Sequence, residues 1–158
     1  MKNLRTIALC VSMSIYSLCA VAQNGNTPPI NEPNPNKPTL FTSLPDMIRL
    51  QSATVSALFS NTVGTQVDTE LAEVNSFRFQ GQVVSSVSKY DNKIQSVVIR
   101  SSNYPGALLT ISKLTAENGK VSYTGRIISM QHGDLYELKE IDEHMVFVKK
   151  GFYALVNE

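Results

Sequence analysis

The chain has no tryptophan, two histidines and two cysteines among its 158 residues. Both cysteines, Cys10 and Cys19, lie in an N-terminal segment that reads as a secretory leader. In that segment Lys2 and Arg5 form a positive start, Thr6 to Cys19 is apolar but too short to cross a bilayer, and Ala20-Val21-Ala22 is a small-x-small cleavage pattern. Cleavage after Ala22 leaves no thiol. That excludes a disulfide scaffold, a Cys-ligated zinc and a cysteine nucleophile together. The leucines before Cys10 and Cys19 argue against lipoprotein processing, and the small-residue exit argues against an uncleaved anchor. The expected location is periplasmic or secreted.

Strong charge of either sign is also lacking. Removing Lys2 and Arg5 from 14 basic residues against 13 acidic ones turns a formal +1 into −1. The basic residues are scattered, with Lys149-Lys150 the only adjacent pair. This is neither a nucleic-acid footprint nor a polybasic membrane patch. The catalytic motifs with a recognisable spacing are absent as well: no Gly-x-Ser-x-Gly elbow, no His-Glu-x-x-His and no Gly-rich phosphate loop. No cofactor is expected, and no catalytic, cofactor or metal residue is assigned.

Three segments remain. Residues 1–22 are the leader. Residues 23–38 hold five of the seven prolines interleaved with asparagine, a composition that cannot offset its ordering entropy by burial and so reads as a linker. Residues 39–158 read as one β-rich domain. Leu44-Pro45-Asp46 followed by Met47 to Phe59 predicts a short helix over 46–59, with Ile48, Val55 and Leu58 on one stripe.

From Thr62 onward the pattern is β. Thr65–Val67 is a short run, Phe77-Arg78-Phe79-Gln80 alternates strictly, and that strand continues through Val83, Val84 and Val87. Further strands are expected over 94–100, 107–114, 121–130, 135–141 and 144–149, with a closing turn of helix or a short strand at 152–156. Turn signals separate them at Tyr90–Lys93, Asn103–Gly106, Asn118-Gly119, His132–Asp134 and Asp142-Glu143. Asn-Gly predicts a type I′ hairpin. The fold class is mainly β: a curved antiparallel meander sheet or small barrel of about six or seven strands, plus one N-terminal helix.

An internal echo joins Phe79-Gln80-Gly81-Gln82-Val83-Val84-Ser85 to Tyr123-Thr124-Gly125-Arg126-Ile127-Ile128-Ser129. Glycine inside a strand marks a bulge or bend, so two of them predict strong curvature. Tyr104-Pro105-Gly106 puts an aromatic at a turn, either as a contact residue or as cover for the sheet end. His132, Asp134 and His144, with Glu137, Glu140 and Glu143 nearby, are the candidate metal ligands. A site needs three or four of them to converge.

The pieces Ala57-Leu58-Phe59, Val63-Gly64-Thr65-Gln66-Val67, Phe79-x-Gly81-x-Val83, Ser96-Val97-Val98-Ile99 and Asp134-Leu135-Tyr136-Glu137-Leu138 resemble, in order, the β-rich N-terminal pro-segments of secreted bacterial zinc metalloproteases. The resemblance spans roughly residues 57–157 and carries over no functional residue. It implies a standalone pro-domain-like module that inhibits or chaperones a secreted metalloprotease. The 158 residues contain no protease domain, and after the leader no cysteine to cap a zinc.

The function expected from sequence is an exported, non-catalytic β-domain that binds another exported protein through a sheet face or hairpin edge. The narrower alternative is the pro-domain-like inhibitor or chaperone of a protease. The alternative of a different class is a metal-dependent enzyme using His132, Asp134 and His144.

Overall fold

A computed structural model of the protein describes residues 36–73 and 76–152. The leader, most of the linker, Val74 and the segment after Phe152 lie outside the described residues.

Eight antiparallel strands form one curled sheet: β1 (Met47–Arg49), β2 (Gln66–Glu70), β3 (Arg78–Lys89), β4 (Ile94–Ser101), β5 (Ala107–Thr115), β6 (Val121–Ser129), β7 (Asp134–Ile141) and β8 (His144–Gly151). Strands β2 to β8 are a simple meander, and β1 lies beside β8 to give the order β1-β8-β7-β6-β5-β4-β3-β2. The two ends of the sheet meet through the bridge Leu50↔Ala72. Gln51 N–H donates to the Leu71 carbonyl at 2.9 Å and Glu73 N–H to the Arg49 carbonyl at 3.0 Å.

The strand count exceeds the expected six or seven because of β1. Met47 to Arg49 was expected to open the helix. It alternates exposed, buried, exposed, and takes the free edge of β8 through Ile48↔Phe147. The helix α1 is shorter than expected, Ser52–Leu58, and buries Val55 and Leu58. Asn118-Gly119 also differs from expectation. Only Gly119 has a positive φ, of 81°. Gly119 N–H donates to the Ala116 carbonyl at 2.9 Å and Ala116 N–H to the Lys120 carbonyl at 2.8 Å. That is a three-residue loop with a left-handed glycine, not a type I′ turn. The left-handed two-residue turn is Asp142-Glu143, with φ of 49° and 62°.

Alternation sends Phe79, Val83, Val97, Ile99, Leu109, Ile111, Ile127, Tyr136 and Phe147 to the concave face, where they form one core with Phe41, Leu71 and Phe77. The two echoed glycines sit on that face. A Cβ on Gly81 would lie 2.2 Å from the Arg100 carbonyl oxygen, and one on Gly125 would lie 2.6 Å from that of Thr110. Backbones approach where side chains are missing, and β3 adds a bulge between Val83 and Ser85.

The segment ahead of β1 seals one end of the curl. Both carboxylate oxygens of the buried Asp134 accept backbone N–H groups, from Leu40 at 2.6 Å and Phe41 at 2.8 Å. Gly133 N–H donates to the Pro38 carbonyl at 2.9 Å, and Lys37 Nζ to that of Met130 at 2.9 Å. Lys37 and Pro38, assigned to the linker from sequence, are thus tied to the sheet. Tyr136 O–H donates to the Pro45 carbonyl at 2.6 Å. Phe41 packs between Tyr136 and Tyr104, at ring-centroid distances of 5.1 Å and 5.5 Å.

Candidate functional site

The residues singled out as metal ligands are not brought together. His132 precedes β7, whereas His144 begins β8 opposite Ile141. The seven strand steps from Asp134 to Ile141 put the two ends of that hairpin about 23 Å apart. His132 Nδ1 lies 2.8 Å from the hydroxyl of the fully buried Ser129, a bond local to the turn. Both oxygens of Asp134 are engaged by Leu40 and Phe41. Glu137 stands midway along β7, Glu140 nearer its end and Glu143 in the turn. Among the described residues no group of three or more His, Cys, Asp or Glu is placed to hold a metal. Tyr104 covers the sheet end: its ring lies 5.9 Å from Phe77 and 6.0 Å from Phe79, and burial raises the pKa of its phenol.

A different site emerges where the ladder fails. Strands β5 and β6 pair over nine positions and β7 and β8 over eight. Between β6 and β7 the register is three pairs long: Arg126↔Glu137, Ile127↔Tyr136 and Ile128↔Leu135. Beyond Arg126↔Glu137 the strands part. Val121–Gly125 of β6 pairs only with β5, and Leu138–Ile141 of β7 pairs only with β8. Two strand edges face each other across a slit whose apex is the Arg126↔Glu137 pair.

Two cavities lie along this slit. One, of about 510 Å³, is lined by Thr124, Gly125 and Arg126 of β6 and by Glu137 to Glu140 of β7, with Thr110, Ser112 and Leu135. Its volume falls within the range of about 300–1,000 Å³ usual for ligand pockets. Side chains alternate along β7, so a lining made of four consecutive residues belongs to the strand's edge rather than to one face. The other, of about 190 Å³, lies towards the open end, lined by Val121, Tyr123, Lys139, Glu140, Glu143, Ser52 and Met145. Helix α1 backs this end. Phe59 just beyond it packs on Tyr123 at 6.2 Å between ring centroids, and Ser56 Oγ lies 3.4 Å from the Tyr123 hydroxyl.

The charges at the apex are unevenly matched. Glu137 Oε2 is buried and lies 2.9 Å from Lys150 Nζ and 3.1 Å from Lys139 Nζ. These are ion-pair distances outside good hydrogen-bond alignment. Lys150 first, and Lys139 with it, hold the Glu137 carboxyl below the usual carboxylate range against the opposing effect of burial. Arg126 stands directly across from Glu137, is exposed, and has no ion-pair partner among the described residues.

From sequence, Glu137 stood as a metal candidate and within the resemblance to protease pro-segments, and Arg126, Lys139 and Lys150 had no role. No local signal marks them, because the slit is a property of strand register. No family model, no curated protein and no solved structure matches this chain.

Proposed function

We propose that this is an exported, non-catalytic binding domain that takes up an extended segment of a partner protein between β6 and β7. The observation that carries this reading is the pair of facing strand edges beyond Arg126↔Glu137. An unpaired strand edge presents a row of backbone donors and acceptors, and a peptide strand supplies the complementary row. Main-chain pairing gives affinity, and pockets for alternate side chains give preference. The exported setting rests on the leader, and the expectation of a protein partner rests on the charge balance and the missing catalytic motifs.

The resemblance to protease pro-segments supplies a narrower form of the same reading, in which the inserted segment belongs to a secreted metalloprotease. The immobilised protein, challenged with a display library of short random linear peptides, is expected to enrich binders. Their amide shift changes in the protein are expected to concentrate at 121–126 and 137–143. A library that yields no binder, or binders whose shifts map elsewhere, overturns the reading.

A further inference from the structure

The geometry points to the chain terminus of the partner as the part recognised: the slit takes an extended peptide with its free C-terminal carboxylate at the apex, against Arg126. This inference rests on the strand-uptake reading and adds direction and end-specificity to it.

Three observations carry it. First, the slit is a wedge and not a channel. Its edges rejoin at Arg126↔Glu137 and stay paired through Ile128↔Leu135. A strand entering between them has no path beyond the apex, so a chain end is accommodated there more readily than a continuing chain. The unpaired stretch, Val121–Gly125 against Leu138–Ile141, has room for about four extended residues at about 3.3 Å each.

Second, the apex is cationic. Arg126, Lys139 and Lys150 surround one carboxylate, Glu137, and the two lysines already pair with it. That leaves the Arg126 guanidinium as the group to meet an incoming anion, and its planar fork matches a carboxylate. An N-terminal ammonium at the same place would face an excess of positive charge.

Third, the opposite end of the slit is acidic. Glu140 and Glu143 line the outer cavity, both exposed. Lys139 and Glu140 line both cavities, so the field along the slit rests on Arg126, which lines only the inner one, and Glu143, which lines only the outer one. It orients a peptide with its C-terminus inward and favours a basic residue about four positions back.

The direction of the bound strand follows. β6 runs from the mouth to the apex and β7 from the apex to the mouth. A peptide with its C-terminus at the apex is antiparallel to β7 and parallel to β6. Its backbone pairs with β7 in the stronger antiparallel ladder. Side chains turned inward meet Tyr123, Leu138 and Met145, which favour apolar residues.

The test compares one selected peptide in three forms: with a free C-terminus, with a C-terminal amide, and embedded between flanking residues. Titration calorimetry against the intact protein is expected to show the free acid binding about tenfold or more tightly than the other two, the size of a lost charge-assisted contact. Arg126→Gln is expected to bring the free acid down to the level of the amide. Arg126→Lys should keep part of the difference, and circular dichroism verifies that both variants fold. Equal binding of all three forms overturns the C-terminal inference while leaving strand uptake standing. So does a preference that follows an internal acidic side chain. Failure of every form to bind, for peptides drawn from a second library displayed with free C-termini as well, removes both readings. The amide arm alters only the ligand, so a misfolded variant cannot mimic its result.

Discussion

Asp134→Asn is the substitution that most sharply separates a structural clamp from a ligand group. The buried Asp134 carboxylate accepts the N–H groups of Leu40 and Phe41 at 2.6 Å and 2.8 Å. These two bonds bring residues 40–41 back across the sheet end and hold the Phe41 ring against Tyr136 and Tyr104. A hydrogen bond to a charged group contributes about 1.5–3 kcal/mol, and a buried donor left unpaired costs about 1–3 kcal/mol. Asparagine keeps one acceptor, now neutral, and turns an NH₂ towards the other N–H. One bond weakens and the other is lost. The expected destabilisation is about 2–4 kcal/mol, a large share of the roughly 5–15 kcal/mol that holds a domain of this size. Urea unfolding is the assay. The midpoint should fall with an unchanged slope, because the surface exposed on unfolding stays the same. A chelator should leave both proteins where they are, since both carboxylate oxygens already accept backbone N–H groups. A loss below about 0.5 kcal/mol, the range of ordinary surface changes, would refute the clamp. A chelator that reproduces the variant's loss in the wild type would show Asp134 to be a metal ligand.

Other substitutions test other parts of the architecture. Gly81→Ala and Gly125→Ala each drive a methyl against a neighbouring carbonyl oxygen, at 2.2 Å and 2.6 Å. Each should cost at least about 1–3 kcal/mol by thermal or urea unfolding, while Gly119→Ala meets no atom within 4 Å and is strained only through its φ of 81°. Tyr136→Phe strips the Pro45 carbonyl of its donor and should cost about 1–3 kcal/mol. Burial first, then the charges of Asp46 and Asp134, raise the pKa of that phenol, so absorbance titration should show it un-ionised until the fold is lost. Glu137→Gln should flatten the acid limb of the stability profile. The folded carboxyl is depressed by Lys150 and Lys139, so its contribution is complete above the ordinary glutamate value of about 4.3 and is lost as pH falls through the lower folded value. An unchanged limb between wild type and variant would mean that the ion pairs at the apex are not formed in solution.

The meander was legible because its information is local. Alternation in Phe77–Gln80, β-branched runs such as Val97-Val98-Ile99 and the turn pairs announce β3 to β8 without reference to distant residues. The paired glycines likewise foretold the curvature, since each needs only its own strand to be read. Apart from the local turn type at Asn118-Gly119, what failed depended on partners far along the chain. Met47 to Arg49 is too short for its period to decide between helix and strand, and the free edge of β8, about a hundred residues later, decides it. His132-Gly133-Asp134 looked like a ligand fragment because the N–H groups that use Asp134 belong to Leu40 and Phe41. The slit was invisible for a related reason. Residues 121–125 and 138–141 read as ordinary strand, and nothing within either segment says that the two do not pair.

A covalent bridge across the slit separates strand uptake from binding elsewhere on the domain. Thr124 and Lys139 are exposed, lie on the same face, and would stand opposite each other if the Arg126↔Glu137 ladder continued two more pairs. The described domain contains no cysteine, so Thr124→Cys with Lys139→Cys introduces a single possible bridge. A disulfide forms only with Cα atoms about 4.4–6.8 Å apart, which draws the two edges together. Peptide affinity measured before and after reduction then reads the slit alone. Strand uptake predicts that the oxidised protein loses binding and that reduction of the same protein restores it. An oxidised, bridged protein that binds peptide as tightly as the reduced one would show that peptide is not taken up between β6 and β7.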